Sequence, residues 1–362
     1  MSDKGLWRAN RRKVLKGAGV AGVAGLAGCL GDENGDDTAA DDTTDDTSGD
    51  TVGDTDDPTE VSWVMNPAEE TVDIEVQYQP LFDYLEEEAD VEINGIQTSD
   101  YASTVAELER GSGDFADTSP GAVAQIPDVI DVVGMRLAFG SELYFSTIVT
   151  TPDSGIETLE DLEGEEVATA GATSVSGGMV PMLMLSQAGL DVGGAPDGDP
   201  VDFTWRTSDH DTAREQLIDN PSIAAAGTGD FSTSAHVPQE QFDEMSQDFV
   251  DISVEYEDAG TRDPELKLLA VSDPIPRAPI VARADWDDPI REELETLMLE
   301  AEPEVFQHDE DELADMLGAD PDDDEFEDHL LWFDGIEPAD HDDYAPIVDL
   351  LDELGLDPEE LD

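Results

Sequence analysis

A run of hydroxyl-bearing and glycine residues, ATSVSGG at positions 172–178, stands directly before an apolar segment at 179–188. The first amides of a helix have no partner inside the helix, and their dipoles point to one spot, so an anion can bind there. Serine hydroxyls can donate as well, and glycine lets a ligand approach the backbone. The run indicates either an oxyanion site or an ordinary helix cap, for which Ser before apolar residues is equally typical.

The elements around this run predict an α/β protein. From Val61 onward, short apolar runs alternate with amphipathic helical patterns. A buried strand predicted at 166–170 leads straight into the run, which is the strand, glycine-rich turn and helix order that an anion site needs. Further strands are predicted at 61–65, 91–97, 132–139, 143–150, 203–205, 223–226, 266–271 and 279–282, with a strand that breaks into a turn at 115–121, and helices at 74–88, 101–110, 158–162, 211–218, 290–301 and beyond.

The composition is strongly acidic. The chain has 15 Lys and Arg against 92 Asp and Glu, a formal net charge of −77. Such a charge repels nucleic acid and anionic lipid, and indicates adaptation to very high salt. At about 1 M salt the Debye length is roughly 3 Å, so the acidic surface does not keep an anion out of a pocket, whereas short hydrogen bonds inside the pocket persist.

The N-terminus is typical of an export signal. NRRKVLK at 10–16 forms a twin-arginine motif, and an apolar, Gly/Ala-rich stretch follows at 17–27. LAGC at 26–29 resembles a lipobox, which predicts a signal peptide at 1–28 and a lipidated Cys29. Cys29 is the only cysteine, so no disulfide can form within the chain. Asp, Thr, Gly and Ser dominate the rest of 29–60, which predicts a disordered acidic tether.

The order of short motifs resembles one family, the phosphate/phosphite/phosphonate-binding substrate-binding proteins of ABC importers. The motifs are YQPLFDYL at 78–85, SDY at 99–101, YFS at 144–146, DSGI at 153–156, LEDLEG at 159–164, SVSG at 174–177, SDHD at 208–211, SDPIP at 272–276 and DY at 343–344. The resemblance implies a two-lobed periplasmic-binding-protein-like fold of type II, with the ligand in a cleft between lobes joined by two crossing strands. The first lobe would hold 61–148 and 272–362, and the second 149–271.

The resemblance also implies the ligand-binding residues. The family's Ser-Thr-Ser-Gly loop falls on 174–177, where Val175 lacks the hydroxyl of the family's Thr. Two tyrosines and a histidine of the cleft match positions that could also be structural: Tyr144 begins a strand, Tyr101 could cover a surface, and His210 starts a helix. An aspartate in the second lobe would favour a ligand that carries a P–OH proton or a cationic amine. The implied site is Ser174, Val175, Ser176, Gly177, Tyr101, Tyr144, His210 and Asp230.

The function expected from these features is capture of a phosphorus oxyanion for an ABC permease. Phosphonate is the first expectation, with phosphite and phosphate as alternatives. We expect a monomer, lipid-anchored on the extracellular face of the cell membrane, with no enzymatic activity, cofactor, metal or nucleic acid, and with the serine-rich loop opening on a cavity. The alternatives are another small anion on the same fold and a surface-anchored hydrolase with Ser176 as nucleophile, although no Gly-x-Ser-x-Gly motif is present.

Overall fold

The computed structural model describes residues 58–65, 74–99, 101–138, 140–262, 264–318, 326 and 329–356. The predicted signal peptide at 1–28, Cys29 and nearly all of the predicted tether lie outside the described residues. No helix in the described ranges is long and apolar enough to cross a membrane.

The described elements follow the predicted α/β alternation. The strands are β1 (Thr59–Met65), β2 (Val91–Gln97), β3 (Phe115–Asp117), β4 (Ile130–Leu137), β5 (Leu143–Tyr144), β6 (Ser146–Thr150), β7 (Glu166–Ala170), β8 (Thr204–Ser208), β9 (Ile223–Gly229), β10 (Lys267–Val271), β11 (Ile275–Pro276), β12 (Pro279–Arg283) and β13 (Gly335–Pro338). The helices are α1 (Ile74–Ala89), α2 (Tyr101–Glu109), α3 (Pro120–Gln125), α4 (Val180–Gln187), α5 (His210–Asp219), α6 (Asp230–Thr233), α7 (Gln239–Met245), α8 (Gln247–Ile252), α9 (Ile290–Glu300), α10 (Glu310–Leu317) and α11 (Ala345–Leu354).

The first sheet has the strand order β13-β4-β12-β3-β1-β2 among the described residues. β1 lies between β2 and β3 and is parallel to both, while β12 is antiparallel to β3 and β4. Its core is aromatic, because Trp63 packs 5.1 Å from Phe115 and 5.3 Å from Phe82, measured between ring centroids. These rings bury a large apolar area together with the inward side of α1, and this burial stabilises the packing of α1 against the first sheet.

The second sheet has the order β10-β6-β9-β7-β8. β7 is parallel to its neighbours β8 and β9, so their carboxyl ends lie at one edge. β9 is buried at every position from Ile223 to Gly229. A central strand of an α/β sheet has this burial, because packed elements cover both of its faces.

The chain passes between the two sheets twice. It leaves β4, forms β5 and enters β6, and it returns from β10 through β11 to β12. β5 and β11 pair antiparallel, with Tyr144 opposite Ile275 and Leu143 opposite Pro276. The two-lobed fold with crossing strands is therefore confirmed. β6 lies wholly in the second sheet and begins at Ser146, slightly before the predicted lobe boundary at residue 148.

Two regions differ from the sequence-based expectation. Helices were expected throughout the C-terminal region, but Gly335–Pro338 is a strand that pairs antiparallel with β4. Four residues are too few to show a strand periodicity, so only the tertiary pairing defines β13. The turn expected after β3 contains the short helix α3, with Pro120 in its first turn, where proline has no amide to leave unpaired.

Candidate ligand-binding site

Three functional segments meet at one edge of the second sheet. β7 runs into the loop at 171–174, β8 leads to His210, and β9 leads to Asp230. Ala170 of β7 and Ser208 of β8 are register partners, which brings the segments that follow them side by side. Ligands of open α/β sheets bind outside the carboxyl ends of parallel strands, so this edge is the candidate site.

The serine-rich loop ends in a π-helical turn, Val175–Met179, that Ser174 caps. Ser174 Oγ accepts from the Gly177 amide at 3.2 Å, and the Ser174 carbonyl accepts from the amides of Gly178 and Met179 at 2.9 and 3.0 Å. The amides of Val175 and Ser176 have no acceptor among the described residues. The cap interpretation of the sequence is therefore confirmed, and the oxyanion site, for which the two amides would be donors, stays a prediction.

His210 is neutral, and its tautomer follows from its contacts. Its Nδ1 accepts from the Gly229 amide at 2.9 Å, so in the neutral ring the proton resides on Nε2. Burial lowers the pKa of His210 to about 4, against the opposing charges of Asp211 and Asp209. Nε2 lies 3.2 Å from Ser174 Oγ and donates to it.

These contacts orient the Ser174 hydroxyl. Its oxygen already accepts two hydrogen bonds, from the Gly177 amide and from His210 Nε2. Its own proton must therefore donate to a third group. The neutral imidazole thus leaves the Ser174 hydroxyl available as a hydrogen-bond donor, and whether His210 itself contacts the ligand stays a prediction.

Gly177 is required for this packing. A methyl group at its Cα would lie 2.2 Å from Ala170 Cβ and 2.7 Å from His210 Cε1. Both neighbours are held by strand and helix backbones, so neither can move aside easily. The glycine of the loop therefore allows the histidine ring to approach Ser174.

Tyr144 lies in β5 of the lobe crossing and contacts Ser176 of the loop. Burial raises the pKa of its phenol, which a hydrogen bond to Ser176 and the charge of Arg277 oppose. The Arg277 guanidinium lies 5.5 Å from the centroid of the Tyr144 ring. Phe231, 48% exposed, stacks 6.3 Å from Tyr144 and lies 4.9 Å from His210. Together these rings form an aromatic wall beside the loop.

The remaining two predicted site residues are placed differently. Tyr101 begins α2 in the first lobe and is half-buried, and its charge would raise the pKa of Tyr144. Asp230 is fully buried, and its carboxyl group contacts the Ser253 hydroxyl and the Phe231 amide. Burial, followed by the charge of Glu255, raises the pKa of Asp230 well above its usual value. Whether Tyr101 and Asp230 bind the ligand stays a prediction.

The first lobe contributes a segment that the sequence analysis missed. The Thr118 hydroxyl is buried without a hydrogen-bond partner in the described residues, just before α3. Arg136 holds this segment, because its guanidinium donates to the Thr118 carbonyl and to Asp117, both at 3.1 Å. A methyl group at Gly121 would lie 3.8 Å from both Val175 and Met179, so α3 directly faces the loop. Ser119-Pro120 is a helix-start signal that could have revealed α3.

The loop is covered rather than open. Ser174 is 7% exposed and Val175 and Ser176 2% each, whereas the expectation was a cavity beside them. The loop is covered by an apolar cluster to which both lobes contribute. Val123 of α3, Met179 of the loop and Ile347 of α11 belong to this cluster. Surface depressions of about 350 Å³ beside Pro289 and about 300 Å³ beside Pro238 lie elsewhere. In this arrangement of the lobes the loop is therefore covered from solvent, and a cavity beside it stays a prediction.

Comparison with known proteins identifies the family. The family model described as "ABC transporter, phosphonate, periplasmic substrate-binding protein" matches residues 63–344. The chain belongs to this family of substrate-binding proteins, as the motifs predicted.

Solved structures share the fold at low identity. The binding protein component of an ABC phosphonate transporter from Pseudomonas aeruginosa is 17% identical, with a TM-score of 0.54, covering 82% of this chain and 87% of its own. PhnD1 from Prochlorococcus marinus, in complex with methylphosphonate, is 16% identical with a TM-score of 0.54, covering 83% and 99%. XAC2383 from Xanthomonas citri, bound to ATP, is 16% identical with a TM-score of 0.55, covering 82% and 97%.

Proposed function

We propose that this chain is an extracytoplasmic lipoprotein that captures a phosphorus oxyanion, phosphonate first, and delivers it to an ABC import permease. The observation that carries the proposal is a set of three adjacent donors, the Ser174 hydroxyl and the amides of Val175 and Ser176, which have no acceptor in the part of the chain that the structure describes. Membership of a phosphonate-binding family supports it, and so does the methylphosphonate complex of a protein with the same fold.

The number of donors is sufficient for tight binding. A micromolar ligand needs about 8 kcal/mol, and each charge-assisted hydrogen bond contributes roughly 1.5–3 kcal/mol. The three donors of the loop and the unpartnered Thr118 hydroxyl of the facing lobe supply four such bonds. Together they supply about 6–12 kcal/mol, so after a cost of about 4 kcal/mol for immobilising the ligand only bonds near the upper end of this range give micromolar binding. A ligand that bonds both Ser174 and Thr118 stabilises the approach of the two lobes.

The site is poorly suited to serine hydrolysis. A general base must accept the serine proton, which requires a histidine nitrogen without hydrogen facing the hydroxyl. Here Gly229 donates to His210 Nδ1, so the nitrogen near Ser174 carries the proton and acts as donor. Ser176, the nucleophile of the alternative hypothesis, bonds to the Tyr144 phenol instead of a base.

Binding of a panel of anions tests the proposal. Calorimetry of the mature chain with methylphosphonate, phosphite, phosphate and methanesulfonate is expected to show micromolar or tighter binding of at least one phosphorus oxyanion. A parallel assay with phosphate esters is expected to show no turnover. Tight binding of the sulfonate alone would favour another anion on the same fold, and turnover would favour the hydrolase.

The anchor is tested separately, because residues 1–57 carry that part of the proposal. Cys29→Ser removes the only thiol that could be lipidated. We expect the variant to be exported and released into the medium, whereas the unmodified chain stays with the membrane fraction. Release of both forms, or retention of both, would contradict lipid anchoring at Cys29.

A further inference from the structure

A cluster of four buried polar side chains lies behind the aromatic wall. Asp230 is 0% exposed, Arg277 6%, Ser253 8% and Glu255 9%. Asp230 starts α6 in the second lobe, Ser253 and Glu255 belong to the segment after α8, and Arg277 lies in the crossing segment between β11 and β12. The cluster therefore connects the edge of the candidate site to the lobe crossing.

The central contact is made by the Ser253 hydroxyl. Its oxygen lies 3.2 Å from Asp230 Oδ2 and 3.1 Å from Glu255 Oε2, and it also accepts from the Glu255 amide at 3.2 Å. Arg277 Nη2 lies 3.4 Å from the other Glu255 oxygen. The second oxygen of Asp230 accepts from the Phe231 amide at 3.0 Å.

One hydroxyl proton cannot serve two carboxylates. If Asp230 and Glu255 were both ionised, one of them would place a charged oxygen against a lone pair of Ser253 in a buried site. An additional proton removes this conflict. Glu255 is the partner of the Arg277 guanidinium, so the proton belongs on Asp230, which has no ion pair among the described residues.

We propose that Asp230 is a neutral carboxylic acid that donates to Ser253 and positions the anion site without contacting the ligand. Ser253 then donates to Glu255, which accepts from Arg277, so the chain of hydrogen bonds runs unbroken from α6 to the lobe crossing. Burial also raises the pKa of Asp230, in the direction that this arrangement requires. The charged and titratable groups that face Asp230 are Glu255, whose charge raises its pKa further, Arg277, whose charge opposes this rise, and Tyr144, which bonds to Ser176 of the loop. On α5, which packs against α6, Asp211 pairs with Arg214 at 2.6 Å.

The consequence concerns which anions the site accepts, and it rests on the proposed function. An ionised Asp230 would repel an anion near Tyr144 and Ser176, and would favour a ligand with a P–OH proton or an amine. A neutral Asp230 adds no negative charge, so a fully ionised phosphonate can bind. Any preference for an amine-bearing ligand would then come from groups other than Asp230.

Two substitutions at Asp230 distinguish the charge from the hydrogen bond. Asp230→Asn mimics the neutral acid, because the amide donates to Ser253 and its oxygen accepts from Phe231. Asp230→Ala removes both contacts, and Asp153→Asn, at an exposed position, serves as the matched control. We expect methylphosphonate affinity within about threefold of the parent chain in Asp230→Asn, and about tenfold weaker in Asp230→Ala.

Infrared difference spectra read the protonation state directly and need no ligand. The parent chain minus Asp230→Asn at neutral pH is expected to show the carbonyl stretch of a protonated carboxyl group, which the parent minus Asp153→Asn lacks. Absence of this band would overturn the proposal. So would an Asp230→Asn variant that binds as weakly as Asp230→Ala, or an Asp230→Ala variant that binds as tightly as the parent. If no oxyanion binds the parent chain, the proposed function fails while the band still decides the state of Asp230.

Discussion

His210 accepts from the Gly229 amide and donates to Ser174, and this pair of contacts determines what the loop can recognise. A protonated imidazole would lose the Gly229 contact, because Nδ1 would then carry a hydrogen. Burial keeps the ring neutral by lowering its pKa to about 4. The proposed site would therefore bind an anion through neutral donors, which keep their strength in concentrated salt better than exposed charges do.

The depressed pKa predicts a pH dependence of stability. The unfolded histidine takes up a proton near its usual pKa of about 6.5, whereas the folded one stays neutral until about pH 4. Stability is therefore lost as the pH falls through this window, by up to about 3 kcal/mol from this residue. In denaturant titrations at constant salt, His210→Gln should lose less stability than the parent chain between about pH 7 and pH 4.5. The control Ser186→Ala, an exposed position that changes no titratable group, should follow the parent, and equal slopes for all three would contradict the assignment.

The π-helical turn is the element that combines a cap with the proposed anion site. It can lie against β7 and α5 only because Gly177 has no side chain. Gly171, at the start of the same loop, is not constrained in this way, since a methyl group there would meet only the Ser208 carbonyl at 4.0 Å. The two glycines thus form a matched pair within one loop.

Gly177→Ala should disrupt the site, and Gly171→Ala should not. The added methyl of Gly177→Ala must displace Ala170 or His210, which we expect to destabilise the fold by about 1–3 kcal/mol and to abolish detectable methylphosphonate binding. Thermal unfolding and calorimetry measure the two effects. Wild-type affinity in Gly177→Ala, or an equal loss in Gly171→Ala, would show that the close packing is unimportant.

Most of the elements around the site could be predicted from the sequence, and the contacts between them could not. Apolar periodicity identified β7, β9 and α5, and Ser before an apolar run identified the loop. The role of Thr118 depends on how α3 of one lobe meets the loop of the other, which no local pattern encodes. Likewise, the tautomer of His210 depends on Gly229, nineteen residues away in the chain. The resemblance implies that Asp230 binds the ligand, which stays a prediction, but the contact of its carboxyl group with Ser253 could not be predicted from the sequence.

At the level of the whole molecule, the strongly acidic composition affects the stability of the two-lobed fold. Removal of residues 1–28 would leave nine basic against 91 acidic side chains, a net charge of −82. Arg136 and Arg277, two of the nine, are buried near the lobe crossing and paired with Asp117 and Glu255. The remaining acidic surface repels itself at low salt, which disfavours the compact state.

Salt should therefore stabilise the fold through screening. We expect the melting temperature of the mature chain to rise when KCl is increased from about 0.1 M to about 2 M, because the Debye length falls from about 10 Å to below 3 Å. Sucrose at matched osmolality provides the uncharged control. A melting temperature that is independent of salt would contradict the interpretation of the composition as adaptation to high salt.

The central claim is that the Ser174 hydroxyl donates to a bound phosphorus oxyanion, and paired calorimetry of Ser174→Ala and Ser186→Ala tests it most directly. Ser186 is exposed on α4, the helix that follows the loop, so its removal controls for the loss of a hydroxyl in the same segment. The account predicts that Ser174→Ala weakens methylphosphonate binding by about 1–3 kcal/mol while Ser186→Ala changes nothing measurable. An unaltered dissociation constant in a folded Ser174→Ala variant would contradict it.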